Sequence, residues 1–406
     1  MKHRILILTN RVPFPLNDGG ALAMYAMIEG FHKAGWDVFL FSMNTSRHYV
    51  AQEQLPSLFS DIRFETFDIN TDIKLVPTLR NFLLSKKPNH AKRFYDASFD
   101  SRLKQIISEF EPSIVQLESV YLATYIPSIR ANTAAPISIR LHNIEYEVWE
   151  RLAHDTENSF RRYYLKDLAA RIKRFEISAW NLADVLIPIT DTDAAVAKEY
   201  TENKKIFTTP FGVDTSKIQM SERERWEGYH IGAMDWMPNA EAITWFLEEV
   251  WPQLHQQAPE FRFHFAGRNM PGSFEKYENE HVICHGEVPD AKEFIRDKKI
   301  LIVPLRSGGG IRVKILEAMA AGKLIVCTAI GMQGISAVPG RDYLLADTAE
   351  DFVRQIKWAM ENKSLAEQIA RNAAALVSQQ YDQEKIMQAL IAGVESVINS
   401  NRGATV

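Results

Sequence analysis

The chain has 406 residues, 46% hydrophobic and 24% charged, with a net charge of −4, a length that exceeds one ordinary core and calls for two domains. This composition excludes a fibrous or disordered chain, and the near-balanced charge supplies no general pull toward nucleic acid. The two cysteines, Cys284 and Cys327, lack C-x-x-C spacing, which excludes a disulfide framework and a cysteine-built metal site and fits a reducing compartment.

The opening "MKHRILILTN" carries an apolar run, Ile5 to Leu8, that is too short for a signal-peptide core and reads as a first strand. Strands are predicted at 5–8, 37–42, 62–67, 114–117, 137–141, 185–190 and 206–209, and then at 229–233, 261–266, 282–284, 300–304 and 324–328. Helical patterns separate them, which is the signature of parallel sheets built from βαβ units, so the expected fold class is α/β. A turn-rich stretch, "PFGVDTSKI", divides the two stacks. The expected organisation is therefore an N-terminal Rossmann-like domain over 1–213, a C-terminal one over 214–385, and a terminal helix over 386–406 that returns to the first domain. No stretch reaches the roughly 18 apolar residues of a membrane span. A cytoplasmic location is expected, with room for peripheral contact with the inner face of the membrane.

Four stretches carry candidate chemistry. In "FPLNDGGALAMYAM", Gly19 and Gly20 open a helix after the first strand; a plain helix start explains them equally well. In "ISIRLHNIEYEVWERL", Arg140, His142, Asn143 and Glu145 fall where a strand ends and a helix begins, the end of a parallel strand at which ligands bind. Taken alone, His142 is more simply a structural residue. The segment 159–183 places Phe160, Tyr164, Leu168, Ile172, Phe175 and Ala179 on one helical face, with Arg162, Lys166, Lys173 and Arg174 largely opposite. Such a helix either packs as core with a solvated rim or lies on an anionic membrane, as does the basic, apolar segment 80–94.

The fourth is "PLRSGGGIRVKILEAMAAGKLIVC". A helix predicted over 311–321 gathers Ile311, Val313, Ile315, Leu316, Met319 and Ala320 into an apolar arc, with Lys314 and Glu317 opposite. The glycines Gly308, Gly309 and Gly310 bare the backbone before a helix N-terminus, a natural anion site to which Arg312 and Lys314 add charge, while Glu317 suits a ribose diol. A surface Lys314–Glu317 pair beside a loop is the simpler alternative. Nothing has convincing metal-ligand spacing; His281, Cys284 and His285 read as packing or loop residues.

The "KILEAMAAGKLIV" segment resembles the nucleotide-binding signature of family 4 (group 1) retaining glycosyltransferases, and "PFGVD", "ICHGEVPDAKEF", "LIVPL" and "TAIGMQGISAVPGRDYLLAD" follow the order of that family. The resemblance implies the GT-B fold, two facing Rossmann-like domains with parallel sheets and a cleft between them. It also implies a nucleotide-diphosphate-sugar donor, no metal or other cofactor, and a saccharide or lipid-linked acceptor in polysaccharide or glycoconjugate assembly. The family's Glu-x7-Glu pair would put the ribose on Glu317 and a sugar-side carboxylate at Gly309, where the carboxylate is missing; backbone N–H groups of Gly309, Gly310 and Ile311 would then contact the donor. The family's diphosphate-binding Arg and Lys are absent from "GAMDWMPN" as well, so Arg312 and Lys314 are expected to replace them. By the same resemblance Gly19 and Gly20 face the donor phosphates and His142 the transferred sugar, which makes His142, Arg312 and Lys314 the catalytic candidates. Alternatives are a non-catalytic nucleotide- or sugar-binding protein of this fold and another GT-B enzyme such as a sugar-nucleotide epimerase.

Overall fold

Strands that are apolar at nearly every position need cover on both faces, and two sheets of this kind form here. The computed structural model describes residues 2–16, 18–70, 93–202, 204–218, 224–308 and 310–403. They divide into two units: the first runs to Pro210 and takes in the chain from Glu384 onward, and the second is Phe211–Gln383. Residues 80–92 of the basic, apolar segment lie outside the described residues.

The first unit holds seven parallel strands, β1 (Arg4–Thr9), β2 (Asp37–Thr45), β3 (Arg63–Ile69), β4 (Ile114–Leu117), β5 (Ile137–Leu141), β6 (Val185–Pro188) and β7 (Lys205–Ile206), in the order β3-β2-β1-β4-β5-β6-β7. The order reverses between β1 and β4, so the connections leaving their C-terminal ends diverge and open a crevice. Leu6, Leu8, Val115, Leu117 and Ile139 pack on one face of the sheet. Ile5, Ile7, Val38, Leu40, Ile114, Val185 and Ile187 pack on the other, where Met387, Leu390, Val394 and Ile398 of the final helix, Gln383–Gly403, cover them. Gly30 makes room for that helix, since a Cβ there would lie 2.5 Å from Met387 Cγ.

The second unit repeats the plan with β8 (Arg225–Ile231), β9 (Phe263–Ala266), β10 (Val282–Cys284), β11 (Lys298–Val303), β12 (Leu324–Cys327) and β13 (Leu344–Leu345), in the order β10-β9-β8-β11-β12-β13. Its reversal lies between β8 and β11. The short β13 was not foreseen, because two residues carry no readable periodicity.

Two helices differ from expectation. The predicted 311–321 helix spans Val313–Ala320, because Arg312 takes an extended conformation (φ −90°, ψ 92°) and stands as its N-cap. In the Ser159–Leu182 helix the buried stripe runs Leu165, Leu168, Ala169, Ile172, Glu176, Ala179, Trp180. Phe160 is not part of it: it sits in the first turn and is 90% exposed. Glu176 enters the stripe because its carboxylate accepts the backbone N–H groups of Glu145 and Tyr146, both at 3.1 Å, at the start of the Glu145–His154 helix. Those two donors have no partner within their own helix. Among the described residues no helix is long and apolar enough to cross a membrane.

The final helix closes the first unit's core although it follows the whole second unit in sequence. Leu390→Ala, which empties a side chain that is 2% exposed, is expected to destabilise the protein by about 2–5 kcal/mol in urea unfolding.

Candidate functional site

In the second unit the chain leaves β8 through Gly232 and β9 through Gly267, and the two backbones touch: a Cβ on Gly267 would lie 1.7 Å from Gly232 O. Hydrogen bonds from Gly232 N to Ala266 O (3.1 Å) and from Met234 N to Arg268 O (2.9 Å) keep the two connections side by side. Beside them, at the sheet reversal, stands Lys314. Its Nζ lies 3.1 Å from His230 Nε2, 3.0 Å from Ile231 O and 3.1 Å from Asn239 Oδ1.

Each of these partners is an acceptor. His230 Nδ1 lies 2.8 Å from Ile302 O and so carries the ring proton, leaving Nε2 to accept. Asn239 Nδ2 donates to Ala233 O at 2.9 Å, which turns its oxygen toward the lysine. Three acceptors thus meet the three N–H bonds of an ammonium. Burial, and then the neighbouring Arg312, pull the Lys314 pKa down to about 7. The enclosed His230 is pushed well below the ordinary imidazole value, first by burial and then by Lys314.

Arg312 lies one residue outside the helix, with its guanidinium 5.5 Å from the centre of the Trp236 ring and Nη1 donating to Gly310 O. Burial lowers its pKa. Gly308 (φ +104°) and Gly310 (φ +84°) occupy backbone conformations that side chains rarely adopt, and a Cβ on Gly308 would also lie 3.0 Å from the Trp236 ring. Gly309 lies outside the described residues. The Ile311 side chain packs against the core, so its backbone is the part left to contact a ligand. Glu317 is exposed, although partial desolvation raises its carboxyl against the opposing effect of Lys292. It is not a partner of Lys314, whose ammonium turns to β8 instead, so the surface-pair alternative is absent.

His230, Trp236 and Asn239 were missed in the sequence. "GAMDWMPN" stood out for the cations it lacks, whereas its Trp and Asn anchor the cations of another segment. The available signal was an Asn at the first turn of a helix, Met237–Trp245, that opens at a sheet reversal.

In the first unit His142 follows β5, with Nε2 3.1 Å from Glu118 Oε2 at the end of β4. Arg140, 2% exposed, lies on the same face of β5, its Nε 3.9 Å from Glu118 Oε2 and its Nη2 bonded to Thr209 O. Glu118 was missed, because one Glu after a four-residue strand has no distinguishing pattern. Gly19 and Gly20 begin the Gly19–Lys33 helix, but Asp18 caps it: its carboxylate accepts from Ala21 N at 3.0 Å and pairs with Arg11. Burial alone would raise Asp18, yet Arg11 and the Ala21 and Gly20 N–H groups bring its pKa below the ordinary value. Part of this helix N-terminus is therefore already occupied by an anion of the chain itself. Glu145 is engaged by the Tyr121 hydroxyl at 2.9 Å, and burial raises its carboxyl.

His285 Nε2 meets His264 Nδ1 at 3.0 Å, and His264 Nε2 meets Glu227 Oε2 at 3.1 Å. Among the described residues no group of three His, Cys, Asp or Glu is arranged to hold a metal ion, and both cysteines are free thiols.

The family model described as Glycosyltransferase Family 4 matches residues 17–217, and that for Glycosyl transferases group 1 matches residues 228–362. The chain belongs to the family 4, group 1 glycosyltransferases. Its two Rossmann-like units are those of the GT-B fold. This glycosyltransferase is 22% identical over 399 residues to an uncharacterized 44.6 kDa protein in the cps region of Klebsiella pneumoniae, covering 95% of this chain and 98% of that one. Among solved structures it is similar to sucrose-phosphate synthase from Thermosynechococcus elongatus (14% identity, 98% and 100% of the two chains, TM-score 0.67). Anabaena HepE in complex with UDP is also similar (15%, 98% and 100%, 0.66). So is the pneumococcal O-GlcNAc transferase GtfA in complex with UDP and GlcNAc (11%, 98% and 99%, 0.62).

Asn239→Ala takes one acceptor from a half-buried ammonium and frees Ala233 O. It is expected to lower stability by about 1–3 kcal/mol, read from the urea midpoint of the full chain.

Proposed function

We propose that this glycosyltransferase moves a hexose from a nucleoside-diphosphate sugar to a saccharide or lipid-linked acceptor with retention of anomeric configuration, in polysaccharide or glycoconjugate assembly. The observation that carries this reading is the pair of cations, Arg312 and Lys314, anchored through Trp236, His230 and Asn239 beside positive-φ glycines at the reversal of the second sheet. A diphosphate supplies the negative charge such a pair calls for, and charge that grows on it as the glycosidic bond breaks is stabilised by cations already in place. Arg312 and Lys314 act as these electrophilic groups, Gly308 and Gly310 let the donor approach the backbone, and Glu317 takes the ribose hydroxyls. With the charge met by side chains, the reaction needs no metal, and the leaving diphosphate assists attack by the acceptor hydroxyl. HepE bound to UDP or UDP-glucose and GtfA bound to UDP and GlcNAc make UDP and its hexose conjugates the first donors to try.

The helix end carrying the exposed Phe160 (90%) and Tyr163 (71%) beside Arg161 and Arg162 supports peripheral contact with a membrane that holds the acceptor. Sedimentation with anionic vesicles tests it: wild type is expected to pellet at low salt and Phe160→Ser to stay in solution.

The donor reading predicts that UDP at about a hundred times its dissociation constant stabilises wild type by about 2.7 kcal/mol, that Glu317→Ala loses most of this, and that EDTA leaves it unchanged. Incubation with UDP-hexose and acceptor should yield the axial or equatorial configuration of the donor itself, read by proton NMR of the product. Absence of stabilisation by UDP, GDP or ADP would sink the donor reading. A pH dependence follows as well. The diphosphate favours protonated Lys314, whose pKa in the free protein is about 7, so affinity is expected to fall as pH rises above that value, by up to about tenfold per unit. Titration calorimetry at pH 6.5 to 8.5 should find proton uptake on binding in wild type and little in Lys314→Arg.

A further inference from the structure

Alternate residues of β4 and β5 point to the sheet face that the final helix covers. Where β1, β2 and β6 contribute Ile, Val and Leu to that face, β4 after Ile114 and β5 contribute Gln116, Ser138 and Arg140, and Glu118 and His142 follow in the same alternation. Gln116, Glu118, Ser138 and Arg140 are all buried. The hydrogens of this polar row can be assigned one after another. Ser138 Oγ donates to Gln116 Oε1 at 3.4 Å, so the Gln116 amide turns its NH2 to Glu118 Oε1. The other carboxylate oxygen, Oε2, meets His142 Nε2 at 3.1 Å. A carboxylate only accepts, so Nε2 carries the imidazole hydrogen. In the neutral imidazole Nδ1 then keeps its lone pair, and it has no partner among the described residues. The Glu118 side chain is 0% exposed and that of His142 20%, so the imidazole is the end of the row that reaches solvent.

Burying a carboxylate carries a large desolvation penalty, which the nearby Arg140 only partly offsets at 3.9 Å. An apolar residue at 118 would pack this face more cheaply but would leave the histidine free to exchange tautomers. We propose that Glu118 is a positioning residue for glycosyl transfer: it commits His142 to the Nε2–H form, so that Nδ1 accepts a hydrogen bond from a sugar hydroxyl bound over the C-terminal ends of β4 and β5. The inference rests on the transferase reading above for its ligand, a sugar, but not for the tautomer. Arg140 supports it by balancing the Glu118 charge. The hydroxyl belongs either to the transferred sugar or to the acceptor, and in both cases the site selects a donor group in a defined direction.

The test begins with the free wild-type protein, needing no variant and no turnover. Nitrogen-15 NMR of the imidazoles at pH 8 is expected to show His142, assigned by its loss in His142→Gln, with Nε2 protonated and Nδ1 bare. A mixture of tautomers, or the reverse tautomer, overturns the proposal whether or not the protein transfers sugar. Glu118→Gln is then expected to show a mixture and to lose about tenfold in kcat/KM, with nucleoside-diphosphate binding to the second unit unchanged. Glu118→Asp should recover part of the loss. A rise confined to the donor KM assigns the hydroxyl to the transferred sugar, and one confined to the acceptor KM assigns it to the acceptor. Unchanged kcat/KM in Glu118→Gln overturns the positioning role. A wild-type protein with the expected tautomer that binds nucleotide but transfers no sugar overturns the transferase reading, and with it the sugar as the ligand of His142.

Discussion

A lysine ammonium withdrawn from water must have all three N–H bonds met, and in the second unit that demand joins three parts of the chain that are far apart in sequence. Lys314 comes from the helix after β11, His230 and Ile231 O from the end of β8, and Asn239 from the helix that follows it. The link works only because β8 and β11 are neighbours in the sheet, where the strand order turns back on itself. His230 is in turn held by Ile302 O of β11, so the cradle spans the same pair of strands twice. Desolvation, with the Arg312 charge beside it, leaves Lys314 close to its titration point near neutral pH.

The arrangement also separates work within one motif. Arg312 stays outside the helix, where its guanidinium can lie over Trp236 and donate to Gly310 O; Lys314 enters the helix and turns to the sheet. Two cations two residues apart therefore leave in different directions. Placed on one regular helix they would have repelled each other next to an N-terminus that already carries positive partial charge. The extended conformation of Arg312 shortens the helix, and after burial the Arg312 charge still lowers the Lys314 pKa.

The first unit answers a different problem with similar means. Its sheet carries a polar row where apolar packing would be expected, and the row ends in a histidine of defined orientation. The charges in it are buried as partners, Glu118 beside Arg140, whereas the glycine turn at Gly19 and Gly20 is closed by its own Asp18. The two strand ends thus differ: one presents an imidazole edge that reaches solvent, the other a helix start that has already found an anion.

Much of this was legible in the chain itself. Apolar runs such as Ile5 to Leu8 and Ile300 to Val303, with helical spacing between them, are enough to specify parallel strands, since only burial on both faces makes such runs favourable. "GGGIRVKILEAM" likewise shows bare backbone, cations and a carboxylate together, a local property of one loop and one helix turn. What the sequence could not show is which partners those side chains meet. Trp236 and Asn239 lie more than seventy residues before Arg312 and Lys314, Glu118 lies 24 before His142, and the final helix reaches the first sheet only after a whole intervening unit. Periodicity reports the face a residue belongs to, because it arises from the repeat of one element. Partnership arises from strand order and register, which are set when distant elements pack, so it was decided by the tertiary structure alone.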